Sequence, residues 1–296
     1  MRITLLDGGM GQELVHRAGD RPTPLWSTQV MIDHPGLVEA VHADYFAAGA
    51  TIATTNTYAI HRDRLAGTPL EGRFDALHRL ALDAAVAARA AHGGGRIAGS
   101  IGPLRASYRP DLHPPVKEGA ALYAEVAAIL APACDLLVAE TVASLDHARA
   151  ILAGARTAGL PVWLALTVDD RDGTRLRSGE PLRDVIPIAR DGAAAVLVNC
   201  SAPEAVDAAL PELAGCGLPF GGYANGFVRI TSDFLEDKPT VDALDARRDL
   251  TPEVYADHAL GWVALGATIV GGCCEVGPRH IAELARRLRA AGHEIV

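Results

Sequence analysis

The sequence predicts an α/β fold, a single (β/α)8 TIM barrel over residues 1–296. Three observations carry that expectation. Eight short apolar or β-branched runs recur along the chain, each nearly continuous in hydrophobicity, as parallel strands buried on both faces require. Longer amphipathic, alanine-rich segments separate them. A polar residue of chemical interest follows almost every run, as expected where strand ends converge on one catalytic face.

Taken in order, Ile3–Leu6 is the first run and Asp7 ends it. Thr51–Thr54 is the second, followed by Thr55, Asn56 and Thr57. The segment 71–92 then places Phe74, Leu77, Ala81, Ala84 and Ala88 on one helical face. Arg96–Gly99 leads to Ser100, and Asp135–Ala139 leads to Glu140 and Thr141. Val162–Thr167 is the fifth run. Ala195–Asn199 ends at Asn199 and Cys200, and Phe220–Tyr223 ends at Tyr223 and Asn225. Ala267–Val270 is the eighth, with Gly271-Gly272-Cys273-Cys274 directly behind it. The last helix opens with Pro278, stacks Ile281, Leu284, Ala285 and Leu288, and stops at Gly292.

Two strand-to-helix connections are long, 103–117 and 224–250, and sit where barrel enzymes keep substrate loops. An open doubly wound sheet is the alternative. Against it, Gly8-Gly9-Met10-Gly11 is followed by Gln12 and Glu13, so the G-x-G-x-x-G turn is incomplete. No internal repeat or second domain is visible.

Composition removes several function classes. A net charge of −9 without a basic tract argues against nucleic acid and anionic membrane partners. The N-terminal run reaches Asp7 too soon for a signal peptide, and the longest uncharged stretch is too short to span a bilayer. Five cysteines in 296 residues make no disulfide scaffold, so a reducing, cytoplasmic setting is expected. Neither a G-x-S-x-G elbow nor a P-loop is present. The eleven histidines form no ligand pattern; only His113, in the third loop, is placed to reach the site. Nothing in the sequence specifies a number of subunits.

The chemistry concentrates in the cysteines. Strands six and eight are separated by strand seven alone, so Cys200, Cys273 and Cys274 can converge. Three sulfur ligands leave a fourth position open, the mark of a catalytic zinc. Side chains alternate along a strand, so Cys273 and Cys274 cannot both face inward there; just past it, Gly271 and Gly272 can take dihedrals closed to other residues, a freedom that could bring both sulfurs round. The alternatives are two packed small side chains or a vicinal disulfide. Cys134 and Cys216 precede strands at the opposite end and read as packed residues. The Gly-rich turn at Asp7 offers the Gly8 and Gly9 amides to a carboxylate and Asp7 to an ammonium, or is a tight capped turn. Glu140 directly after a buried strand is costly unless paired or functional.

These motifs resemble the homocysteine S-methyltransferase family. The likeness runs through Leu6-Asp7-Gly8-Gly9-Met10-Gly11, Thr55-Asn56-Thr57-Tyr58, Gly99-Ser100-Ile101-Gly102-Pro103, Ala139-Glu140-Thr141, Val198-Asn199-Cys200 and Gly271-Gly272-Cys273-Cys274. It implies zinc on Cys200, Cys273 and Cys274, a substrate amino group at Asp7 and Glu140, and its carboxylate at the Gly8–Gly9 backbone. Thr55, Asn56, Ser100, Asn199, Tyr223 and Asn225 are the further substrate-binding candidates. The implied reaction moves a methyl group from S-methylmethionine or S-adenosylmethionine to L-homocysteine, giving methionine. One departure, Tyr223-Ala224-Asn225-Gly226-Phe227, falls where the donor is expected, so a betaine-like donor stays open. So do a selenol or other thiol acceptor, and a non-catalytic zinc-binding or redox-sensing barrel.

Overall fold

The computed structural model describes residues 1–20, 23–231, 233–235, 240 and 243–296. Strand β1 (Arg2–Leu5) is followed by helices α1 (Met10–Ala18), α2 (Trp26–Asp33) and α3 (Leu37–Ala48). Strand β2 (Ile52–Thr54) leads to α4 (Arg62–Leu65) and α5 (Phe74–His92). Then come β3 (Arg96–Ile101), α6 (Val116–Leu130), β4 (Leu136–Val142), α7 (Leu145–Ala155), β5 (Val162–Leu166) and α8 (Ile186–Gly192). The chain continues through β6 (Ala195–Asn199), α9 (Pro203–Leu213), β7 (Phe220–Tyr223) and α10 (Pro252–Ala264). It finishes with β8 (Ile269–Val270), α11 (Pro278–Ala290) and β9 (Glu294–Ile295).

The strands form one curled parallel sheet in the order β2-β3-β4-β5-β6-β7-β8-β1-β9. All eight expected strands are present. The short ninth, Glu294–Ile295, pairs with β1 through Arg2↔Glu294 and Ile3↔Ile295. It takes the edge of β1 opposite β8, which accounts for the missing β1–β2 ladder. Thr51, just before β2, donates its amide to Leu5 O of β1 (2.8 Å) and its Oγ1 to Val296 O, just after β9 (2.8 Å).

Alternation along the strands makes two apolar layers. Leu136 and Val138, Ala195 and Leu197, and Trp163 and Ala165 are pairs two residues apart. With Leu6, Ile52, Ala98, Tyr223 and Ile269 they form one buried cluster inside the curl. The intervening residues pack with the helices in a larger cluster. Helix α5 buries Phe74, Leu77, Ala81 and Ala88 as expected, with Ala85 on that face and Ala84 only partly buried. The last helix buries Ile281, Leu284, Ala285 and Leu288. Small alanines let these helices lie close to the sheet. Cys134 and Cys216 are buried and free. Among the described residues no helix is long and apolar enough to cross a membrane. The long seventh connection, 224–250, lies partly outside the described residues.

Candidate functional site

The loops that follow the strands surround a cavity of about 950 Å³. Of the expected site residues, Asp7, Gly8, Gly9, Thr55, Asn56, Ser100, Glu140, Cys200, Tyr223, Cys273 and Cys274 line it; Asn199 and Asn225 do not.

The three cysteines do converge. Their sulfurs all lie within 4.8 Å of one another. Cys200 and Cys273 are joined as a disulfide, with Cα atoms 5.8 Å apart, and Cys274 is free. The expected alternative of a vicinal Cys273–Cys274 bond is therefore not the pairing observed. The reason given for Gly271 and Gly272 also needs correction, because neither has a positive φ. Their role is close approach: a Cβ on Gly271 would lie 2.4 Å from Leu6 Cβ, and one on Gly272 would lie 2.2 Å from Val276 Cγ1. The left-handed backbone falls on Cys200 (φ 46°) and Glu275 (φ 64°) instead. Non-glycine residues held there are strained, and such strain clusters at functional sites.

The first turn packs against this one. The Gly9 amide donates to Val276 O (3.0 Å) and so is not free for a substrate carboxylate, contrary to expectation. A Cβ on Gly9 would come within 2.5 Å of Cys273 O, and one on Gly8 within 2.0 Å of Val276 O. The absent side chains thus bring Asp7 and the cysteine turn together.

Two carboxylates share the cavity floor. Glu140 accepts hydrogen bonds from Ser100 Oγ and from Tyr223 OH, the latter at 2.9 Å. Ser100 and Tyr223 thus orient Glu140. A register shift between Ala139 and Val142, with Thr141 at φ 57°, marks the strand where it presents this residue. Asp7 accepts from the Thr54 amide (2.6 Å) and from Thr54 Oγ1 (2.7 Å). Thr54 went unremarked in the sequence, although it ends the second strand.

Thr55 and Asn56 line the wall, with the Thr55 hydroxyl and the Asn56 Nδ2 already engaged. Thr55 Oγ1 accepts from the Ser100 amide (3.0 Å) and shares a hydrogen bond with Thr57 Oγ1 (2.8 Å). Asn56 Nδ2 donates to Ser27 O (3.3 Å). Asn225 Oδ1 accepts from the Phe227 amide (3.2 Å), fixing the turn after β7. Asn199 bonds Thr141 twice: its Oδ1 accepts from the Thr141 amide (3.0 Å), and its Nδ2 donates to Thr141 Oγ1 (3.4 Å). His113 does not line the cavity; it stacks on His147 (4.3 Å) and bonds Tyr123 OH (3.1 Å). The upper wall, missed in the sequence, is aromatic: Trp26, Tyr58, Tyr108 and Phe234. These lie far apart in the chain and show no periodicity.

Burial pushes the Asp7 carboxyl up to about 7 from its ordinary 3.8, against the Thr54 hydrogen bonds that lower it, and the charge of Glu140 adds to the rise. Burial also raises Glu140, against its bonds from Ser100 and Tyr223. Burial thus shifts both acids toward the neutral form, and a cation beside them would oppose that shift. The sign follows. Between about pH 4 and 7 folded Asp7 holds a proton that the unfolded chain has released, so stability falls as pH rises through that window and levels off above it. Urea unfolding of the substrate-free protein from pH 4.5 to 7.5 should show this fall, with a shallower slope in Asp7→Asn. An identical slope in the variant would remove Asp7 as its source.

Three sulfurs beside two acids on an apolar floor suit a soft cation and an amino-acid ammonium. The chain is similar to known proteins over most of its length. The profile of the family described as homocysteine S-methyltransferase matches residues 4–288. The homocysteine S-methyltransferase of Escherichia coli (strain K12) is 33% identical, over 96% of this chain and 95% of that protein. The selenocysteine Se-methyltransferase of Brassica oleracea var. italica is 24% identical, over 96% of this chain and 88% of that protein. Among solved structures, the homocysteine methyltransferase MmuM of Escherichia coli in a metallated form matches with a TM-score of 0.80 at 31% identity, covering 96% of both chains. An oxidised form of that protein matches with a TM-score of 0.81.

Proposed function

The chain belongs to the homocysteine S-methyltransferase family, and from that premise we propose that it moves a methyl group from a sulfonium donor to the thiol of L-homocysteine, giving methionine. S-methylmethionine or S-adenosylmethionine is the donor. The observation that carries this reading is the trio of sulfurs within 4.8 Å beside Asp7 and Glu140.

We read the curled sheet as a (β/α)8 barrel closed between β1 and β2, one domain over residues 1–296. Its setting is the cytoplasm and its partners are small molecules. The donor set fits zinc: in the reduced protein, Cys200, Cys273 and Cys274 would hold the ion and leave one position open. When bound, zinc supplies a Lewis acid that keeps a substrate thiol ionised at neutral pH.

The chain's own residues do the rest. Asp7 and Glu140 receive the substrate ammonium, whose charge favours their ionised form. Thr54, Ser100 and Tyr223 hold the two carboxylates in place. The aromatic wall excludes water from the donor. The homocysteine sulfur displaces the methyl carbon from the sulfonium sulfur, and the electron pair of the broken bond stays on the leaving sulfide. An anion and a cation become two neutral thioethers, so no general acid is needed. Alignment of the two substrates is the main task, worth up to about 7–11 kcal/mol in favourable cases.

The test loads reduced protein with zinc and offers homocysteine with S-methylmethionine, S-adenosylmethionine, betaine or a dimethylsulfonium compound. Methionine should form with S-methylmethionine or S-adenosylmethionine. One zinc per chain with no turnover of any donor would overturn the reading in favour of a binding role. Selenocysteine as acceptor is the second reading, favoured by the likeness to the Brassica selenocysteine enzyme. Competition between the thiol and the selenol separates them.

A further inference from the structure

The cavity is larger than one small amino acid needs; about 300–1,000 Å³ serves a drug-sized ligand, and this one holds about 950 Å³. Its floor carries the sulfurs and two acids. Its wall carries three arginines, Arg64, Arg105 and Arg109. Two of them are neutralised. Arg105 faces Asp63 (3.9 Å) and Glu118 (3.3 Å), and Arg109 pairs with Asp111 (2.7 Å) and donates to Leu235 O.

Arg64 differs. Its guanidinium has no carboxylate within ion-pair distance among the described residues. The neighbouring Asp63 accepts from the Arg64 backbone amide (2.9 Å), not from its side chain. One terminal nitrogen donates to Pro103 O (3.0 Å) and Ser107 Oγ (3.2 Å), and the guanidinium lies 5.8 Å from the centre of the Tyr58 ring. The Nε is buried without any hydrogen-bond partner. No carboxylate among the described residues offsets this charge on the cavity wall, and a planar guanidinium suits a carboxylate.

We propose that Arg64 receives the carboxylate of the methyl donor, so that the enzyme selects sulfonium compounds carrying a carboxylate over simple trialkylsulfoniums. The charge layout sets the orientation. The donor's cationic end is drawn to the acidic, sulfur-lined floor and its anionic end to Arg64, which points the methyl group at the homocysteine sulfur. This rests on the methyl-transfer reading above.

The test compares S-methylmethionine, which has a carboxylate, with trimethylsulfonium, which has none, in the wild type, Arg64→Ala and Arg64→Lys. In Arg64→Ala the KM for S-methylmethionine should rise at least about 10-fold, with the KM values for trimethylsulfonium and homocysteine unchanged and Arg64→Lys in between. Calorimetric titration of the zinc-loaded protein with S-methylmethionine should show the same loss. Equal weakening toward both sulfoniums would make Arg64 a brace for the third loop and overturn the proposal, as would no change. Arg64-dependent binding without methionine formation would sink the methyl-transfer reading and leave this one. Methionine formation indifferent to Arg64 would do the reverse. Neither binding nor turnover would overturn both.

Discussion

Cys273→Ser, purified under reducing conditions with zinc, should hold far less than one zinc per chain and form no methionine with any donor. Changes merely around a metal ligand cost about 10–100-fold in affinity, so removing one of three sulfur ligands should exceed that range. A serine hydroxyl is far harder to ionise than a thiol and prefers harder cations. The fold should survive, because Cys273 is only partly buried and serine is of similar size. Metal analysis and far-ultraviolet circular dichroism separate the two effects. Full-rate methylation by metal-free protein would refute the zinc assignment. An unfolded variant would shift the test to Cys274→Ser, whose sulfur forms no disulfide in the structure.

The second large effect concerns the amine end of the substrate. Glu140→Ala should raise the KM for homocysteine by roughly 10- to 150-fold, the equivalent of about 1.5–3 kcal/mol for a hydrogen bond to a charged group. The substitution also strips Ser100 and Tyr223 of their shared acceptor. Glu140→Gln therefore makes the cleaner variant: it keeps an acceptor oxygen for one hydroxyl, offers the other an N–H to accept, and removes the charge. Both variants should retain bound zinc. Unchanged homocysteine KM in Glu140→Gln would take Glu140 out of the amine site. Loss of zinc along with activity would show a general collapse of the cavity floor instead.

Much of this was legible in the chain because buried parallel strands leave continuous apolar runs. Asp7 and Cys200 therefore marked strand ends, whereas Glu140 lies inside β4, two residues before it finishes. The Gly-Gly-Cys-Cys run pointed to the cavity where three sulfurs meet. Its glycines answer to the atoms of Leu6 and Val276, a crowding that only three dimensions reveal. The strand at Glu294–Ile295 is two residues long and half polar, too short to leave a periodicity. Asn199 read as a ligand-facing residue by position, yet its amide is spent on Thr141. Arg64 lies on α4, Trp26 opens α2 and Tyr108 sits in the third loop, and no local pattern links them. What a strand end presents is local information; what a loop presents depends on loops elsewhere.

That amide of Asn199 has a consequence for substrate choice. Asn199 precedes Cys200, and Thr141 follows Glu140. The two hydrogen bonds between Asn199 and Thr141 therefore tie the backbone that carries a sulfur ligand to the backbone that carries the amine acceptor. The span between them becomes a ruler laid across the mouth of the sheet. On the proposed function, an amino acid whose thiol and ammonium stand one methylene closer together, as in cysteine, would span less of that distance. Discrimination by carbon count would then reside in a pair of bonds that never touch the substrate.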